Sequence, residues 1–285
     1  MKIETFFDPI TYTLTYIVYD EQTRDAFIID SVWEYEQASS TTSLRQIKKY
    51  QDFIESNNLK LHYILETHAH ADHLTGSQKL KELYPNAKIA IGARIKEVQS
   101  TFKEVFNMKD FNTDGIQFDE LLEDNQVLEI GSLKLKVLYT PGHTPACSSY
   151  LVNDKVVFTG DALFMEDFGT GRCDFPAGSA KDMYQSLRRL YELDDEVEVY
   201  TGHDYQPGGR ELKYKTTIGS QKKNNIHMKA ETSEDEYVKM RQERDKKLKA
   251  PKLLLPSIQI NIDAGKLPEA EDNGTRYMKM PITES

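Results

Sequence analysis

The chain has 285 residues, 39% of them hydrophobic and 29% charged, with 16 Tyr and 12 Phe. That is enough apolar material for one large or two modest packed domains, and it excludes wholesale disorder. The formal net charge of −10 excludes a general nucleic-acid surface, which needs Lys/Arg-rich patches.

The remaining gross features predict a soluble cytoplasmic protein. Its two cysteines, Cys147 and Cys173, are too few for a disulfide scaffold and suit a reducing compartment. The first residues, MKIETFFDPITYTLTYIVYD, have no basic stretch leading into an apolar one, and no apolar run reaches membrane-spanning length.

In chain order, residues 13–19 and 26–29 are rich in aromatic and β-branched side chains and predict strands. Leu44, Ile47, Phe53 and Ile54 keep helical spacing. LHYILET predicts a strand running into a histidine cluster, and residues 71–83 a helix stopped at Tyr84–Pro85. KIAIGA predicts a strand and residues 94–106 a helix. From 126 to 161, strands QVLEI, LKLKVLYT, SSYLV and KVVFTG alternate with turn signals at Gly131–Ser132, Pro141–Gly142 and Asn153–Asp154. AKDMYQSLRRLYEL then predicts a helix and VEVYTGH a strand. Two successive rounds of strands and helices suit an αββα sandwich, four layers deep, over residues 1–210.

Residues 211–285 are expected to be an extension packed on that core, not an independent domain. Ser233 and Glu236 predict a capping box for a helix reaching about Leu248, whose alternating charges suit a solvated face. LLLPSIQINI predicts a buried strand or docked segment.

The chemistry concentrates in THAHADH, Thr67–His73, where three histidines and an aspartate follow a strand. In extended chain His68 and His70 share a side, and Asp72 and His73 are expected on the first turn of the next helix. Imidazole and carboxylate together suit divalent transition metals. A solvated polar loop is the plain alternative, but four ligand-type residues at this density argue against it. His143 follows LKVLYT, Asp161 follows KVVF and His203 follows VEVY, each beside a glycine that lets backbone approach a site. These strand-end loops are expected to meet on one sheet edge.

The order THxHxDH, GHT, GD, GH over roughly residues 10–210 resembles the metallo-β-lactamase superfamily. After Asp161, GTGRCDFPAGS places Arg172, Asp174 and Phe175 as persulfide dioxygenases have them, and His203 precedes Asp204–Tyr205, again as in that branch. IIDSVWEYEQASS and EDNGTRYMKMPI resemble its bacterial β-lactamase hydrolase-like subgroup.

The resemblance implies one Fe(II) per chain held by His68, His143 and Asp161, a facial triad with open positions. It implies oxidation of glutathione persulfide, or a related thiol persulfide, by O₂ to sulfite and thiol, in sulfide detoxification. Arg172 is expected to hold a substrate anion, and Tyr205 to contact substrate; each could instead be an ordinary ion pair or packed side chain. Tyr205, His203 and Asp72 are the catalytic candidates around the metal. His70, Asp72, His73 and His203 form a second metal site in superfamily hydrolases and act as hydrogen-bond partners in the dioxygenases. The alternative is a zinc-dependent thioester hydrolase like glyoxalase II, with one or two Zn. Some subgroup members carry a sulfurtransferase domain that does not fit in this length, so a separate sulfurtransferase partner is implied; a homodimer is a family-level expectation. Cys147 and Cys173 suit small buried side chains, Asp30 a brace for the site loops, and His62 and His227 are not expected to bind metal.

Overall fold

A computed structural model describes residues 1–282. One six-stranded sheet has the order β1-β2-β3-β6-β8-β9, built from Lys2–Asp8, Thr13–Tyr19, Asp25–Ile29, Lys60–Glu66, Lys88–Gly92 and Glu120–Leu122. The other runs β10-β11-β12-β13-β14-β15, from Val127–Ile130, Leu133–Tyr139, Ser148–Val152, Val156–Phe158, Glu198–Tyr200 and Lys215–Thr217. A small third sheet, β5-β4-β7, joins Thr41–Ser43, Val32–Glu36 and Leu74–Thr75.

The central strands, such as β2, β3 and β12, are apolar on both faces, as strands covered on both sides must be, while β10 and the start of β11 alternate buried and exposed residues. In β2, Leu14, Tyr16 and Val18 face the other sheet while Ile17 faces helices; in β3, Phe27 and Ile29 face inward and Ile28 outward. Three buried clusters result. One joins the first sheet to α1 (Arg45–Ser56), α2 (Ser77–Leu83), α3 (Ile95–Val105) and α7 (Leu254–Asn261). One lies between the sheets, and one joins the second sheet to α4 (Ala180–Leu190) and α6 (Glu234–Asp245). Three interfaces separate four layers, the αββα arrangement. A short helix, α5 (Ile218–Asn224), follows β15.

Two expectations are corrected here. The helix after the histidine cluster begins at Ser77, not at residue 71, because Leu74 and Thr75 pair with Trp33 and Val32 as β7. Asp72 and His73 therefore lie in an irregular bend and not on a helical turn. LLLPSIQINI is helical over Leu254–Asn261. The capping box forms as expected, with the Ser233 side chain accepting from Glu236 N and the Glu236 carboxylate from Ser233 N. Among the described residues no helix is long and apolar enough to cross a membrane.

A candidate metal centre at the sandwich edge

Strand direction decides where the ligand-type residues gather. β13 and β14 are parallel, while β12 is antiparallel to both β11 and β13. The C-terminal ends of β11, β13 and β14 thus share an edge of the second sheet, and the loops beyond them carry His143, Asp161 and His203. β3 and β6 are parallel in the first sheet, so Asp30 and Thr67–His73 leave a common edge too. The cluster is therefore assembled from both sheets, not from one sheet edge as expected, because the sheets stack face to face.

Glycine lets these loops touch. Gly160 has φ +47°, and a Cβ there would lie 2.5 Å from Thr67 Oγ1. Gly142 has φ +144°, and its Cβ would lie 2.4 Å from the Met183 backbone at the start of α4. From α4, Ser186 Oγ also donates to Pro141 O at 2.7 Å, fixing the turn before His143.

His68, His143 and Asp161 each present a ligand atom, all within 4.8 Å of one another, and all three are buried. The hydrogen bonds behind them settle the tautomers. Thr67 Oγ1 gives its single hydrogen to Asp30 Oδ2 at 2.8 Å, so it accepts from His68 Nδ1 at 3.0 Å. A carbonyl only accepts, so His143 Nδ1 donates to Arg172 O at 2.7 Å. Both Nε2 atoms are left as bare lone pairs, 4.0 Å (His68) and 3.4 Å (His143) from Asp161 Oδ2. Burial first, then neighbouring imidazoles, push His68 well below its ordinary pKa; burial lowers His143 as well, against the pull of Asp161.

The remaining polar residues divide. His70 Nε2 lies 3.0 Å from Asp30 Oδ1 and 3.2 Å from Glu66 Oε2, an ion-pair geometry. Burial alone would lower its pKa, but the two carboxylates outweigh burial and raise it well above 6.5. His70 also groups with Asp72 and His73 as a second three-ligand set. Asp72 Oδ2 meets His73 Nδ1 at 3.0 Å and Thr13 Oγ1 at 3.1 Å. His203 Nε2 stands 3.4 Å from Asp161 Oδ1 and 3.7 Å from Asp72 Oδ2, between the two sets.

These residues fit a cation. His68 Nε2, both His70 ring nitrogens, His73 Nε2, His203 Nδ1 and Asp161 Oδ1 are buried without a hydrogen-bond partner, His70 Nε2 being within ion-pair distance of Asp30 and Glu66. Each such atom costs about 1–3 kcal/mol when left unpaired, so a cradle of them calls for a positive ion.

A cavity of about 860 Å³ opens over Asp72, His143 and Asp161. Tyr12, Phe164, Phe168, Phe175 and Tyr205 give it an aromatic lining. Tyr205 stacks on His203 at 5.3 Å and packs at a tilt against Phe168 at 4.6 Å. Partial loss of water at a residue still 37% exposed, then the charges of Asp161 and Asp72, raise its phenol above the ordinary value, which favours the neutral donor.

Arg172 lines the cavity, but its fork is already engaged. Nε and Nη2 donate to Asp174 at 2.6 and 2.7 Å, and Nη1 donates to Lys249 O at 2.7 Å. A bidentate grip on a substrate carboxylate is thus not what this geometry presents; what it presents is the Arg172 carbonyl orienting His143. His62 pairs with Asp25 at 2.7 Å, and His227 Nδ1 accepts from Thr170 N at 3.0 Å, both away from the ligand sets. Both cysteines are buried, and burial pushes Cys147 up to about 12.

Several contributors escaped the sequence reading. Asn261, in α7, donates to His70 O and His73 O at 2.8 Å each and accepts from Thr75 N at 2.9 Å. One amide thereby clamps the whole histidine loop from nearly 190 residues away. Its signal was a polar residue alternating with isoleucines in an otherwise apolar run, a signal it shares with Ser257 and Gln259. Arg241 and Asp245 were read as part of a solvated face, yet both are buried, paired at 2.7 Å. They pin the loop behind His143: Arg241 Nη1 donates to Thr170 O at 2.9 Å and Asp245 Oδ2 accepts from Cys173 N at 2.9 Å. A pair that neutralises itself can be buried where a lone charge cannot.

Residues 10–203 match the family model described as "Metallo-beta-lactamase superfamily". A Dictyostelium discoideum protein named "Glyoxylase B2" is 50% identical over 99% of this chain and 97% of its own length. The "Beta-lactamase hydrolase-like protein" of Agrobacterium fabrum is 43% identical, and the match spans 98% of this chain but 64% of that protein. The human "Persulfide dioxygenase ETHE1, mitochondrial" is 33% identical over 71% of this chain and 68% of its own length. Among solved structures, ETHE1 from Myxococcus xanthus superposes with a TM-score of 0.74 at 31% identity, covering 93% of this chain and 100% of that one.

Proposed function

This chain belongs to the metallo-beta-lactamase superfamily, and from that premise we propose that it is an iron-dependent persulfide dioxygenase. It oxidises glutathione persulfide, or a related thiol persulfide, to sulfite and thiol in cytoplasmic sulfide detoxification. In that reaction the terminal sulfur is oxidised and its bond to the carrier sulfur breaks. O₂ supplies two oxygens and is reduced, water supplies the third, and two protons are released. One observation carries the reading: His68, His143 and Asp161 form a compact two-imidazole, one-carboxylate set with both Nε2 lone pairs bare.

These three residues would hold one Fe(II), which supplies the electron chemistry that O₂ needs to react with sulfur. The protein's own part is orientation and exclusion. Thr67 and Arg172 O fix the ligand tautomers, and Phe175 packs edge-on against His143 at 4.8 Å. The aromatic cavity wall limits water around the reacting sulfur. Tyr205, a neutral phenol beside His203, is placed to donate to substrate. His203 and Asp72 are the other polar groups beside the triad, and Asp72 is held by Thr13 and His73. The extension from residue 211 works as part of this catalytic unit, and a separate sulfurtransferase delivers the sulfur.

A second reading has its own support: the set His70, Asp72 and His73, and the relative named a glyoxylase. It is a glyoxalase II-like thioester hydrolase with one or two Zn. Protein loaded anaerobically with Fe(II) should consume O₂ and release sulfite on glutathione persulfide, with one iron per chain. No O₂ uptake from a verified iron site, together with O₂-independent cleavage of a glutathione thioester by a two-zinc form, transfers the assignment to the hydrolase.

A further inference from the structure

A second, smaller cavity lies behind the metal centre, with about 10 Å³ of room for the centre of a water-sized molecule. That is space for one small molecule. Ala71, His143 and Phe175 line this cavity and the large aromatic one alike, so a single layer of side chains parts them. Its far wall is core: Ala69 from the histidine motif, Val98 and Phe102 one turn apart on α3, and Ile258 on α7, all buried. A turn closed by Gly178 N donating to Phe175 O at 2.7 Å covers the outer side, where Pro176 is exposed.

The histidine motif itself makes this room. The spacers between His68, His70 and Asp72 are alanines, and both belong to the buried cluster that the first sheet shares with α3 and α7. Water is a poor occupant, because a buried water needs roughly two to four polar partners. The polar side chains on this wall are already engaged. His143 Nδ1 donates to Arg172 O at 2.7 Å, His143 Nε2 faces Asp161 at 3.4 Å, and Thr144 Oγ1 lies 3.2 Å from Cys147 Sγ. What fits is small, uncharged and apolar, since apolar cavities stay dry and take up xenon. Dioxygen is such a solute: it too gains by leaving water for apolar surroundings.

We propose that this cavity binds O₂ and passes it to the metal centre across the partition of Ala71, His143 and Phe175, while the persulfide occupies the aromatic cavity. The gas and the carried thiol then need not share one mouth. Naming O₂ as the gas rests on the dioxygenase reading; an affinity for a small apolar gas does not.

Crystals of the metal-loaded protein held under xenon pressure test the gas site, through the anomalous scattering of xenon. One xenon atom should appear among Ala69, Val98, Phe102 and Ile258. Val98→Leu adds bulk to the wall and should exclude xenon, whereas Val98→Ala removes bulk and should retain it. O₂ uptake at saturating glutathione persulfide then tests the route. In Val98→Leu the KM for O₂ should rise several-fold, with metal content and the KM for persulfide unchanged. In Val98→Ala the KM for O₂ should stay at the parent value. No xenon at the site, ordered water filling it, or an unmoved KM for O₂ in a Val98→Leu variant that excludes xenon would each overturn the proposal. An equal rise in Val98→Ala would also overturn it, by tracing the effect to disturbed packing. Xenon bound in a chain that consumes no O₂ would remove the dioxygenase reading and the O₂ assignment together. Xenon absent from a working dioxygenase would remove the cavity's role alone.

Discussion

His68 and His70 stand two residues apart in one motif, their rings 4.1 Å from each other, and the protein gives them opposite assignments. Behind His68 stands a hydroxyl that can only accept, so the outward nitrogen is a lone pair. Behind His70 stand two carboxylates, which favour a charged ring. The difference teaches that a histidine's role is set less by its place in a motif than by what faces its far nitrogen. A neighbour that can only accept leaves the outward nitrogen a lone pair; a pair of carboxylates favours the protonated ring.

Substitution is the most direct way to break that contrast. His68→Ala should lose bound metal almost completely, and His143→Ala likewise, when metal is measured by elemental analysis after gel filtration. His70→Ala should keep about one metal per chain. Its defect should be stability, since it leaves Asp30 and Glu66 buried without their cation, a loss of roughly 3–5 kcal/mol in denaturant unfolding. If His70→Ala lost metal as completely as His68→Ala, the contrast would collapse and the two-metal reading would gain.

A smaller effect should come from the clamp that holds both histidines in place. Asn261→Ala removes two donors and one acceptor from the loop 70–75. We expect about 1–3 kcal/mol of lost stability and a metal affinity lower by roughly tenfold, measured by competition with a chelator. Stability falling while metal affinity stays fixed would make Asn261 a packing residue only.

The contrast also marks what the sequence made legible. His68, His143 and Asp161 could be picked out because each follows a strand and sits beside glycine or in a dense ligand motif. Alternating apolar strands and helical spacing made the layers readable for the same local reason. The fate of His70 was not readable, because it depends on Asp30 and Glu66 arriving from two parallel strands. The helix start was misplaced by six residues for a tertiary reason: Leu74 and Thr75 are recruited by β4. For Arg172 the sequence left a substrate anion and an ordinary ion pair both open, and it did not single out Asp174, two residues on, as the partner. Arg241 and Asp245 looked solvated because pattern alone does not reveal that two opposite charges, one turn apart, are buried as a unit.

His227 sharpens the comparison from the other side, as a half-buried histidine with no carboxylate partner among the described residues. Its Nδ1 accepts from Thr170 N at 3.0 Å, which requires the lone pair, and burial together with Arg241 and Arg244 lowers its pKa to about 3. The unfolded chain binds a proton near the ordinary value of about 6.5, while the folded chain does not until about 3. Unfolding therefore takes up a proton across that window, and stability falls as pH drops through it, by up to roughly 1.4 kcal/mol per pH unit. His70 has the opposite sign: its raised pKa contributes stability below about 6.5 that is lost as pH climbs through its folded value. His227→Gln keeps a side chain that can accept from Thr170 N but cannot titrate. Denaturant unfolding from pH 6.5 down to 4 should show a shallower loss of stability in this variant than in the parent. Parallel curves would mean that His227 is already charged in the folded protein, and that Thr170 N is not what holds it neutral.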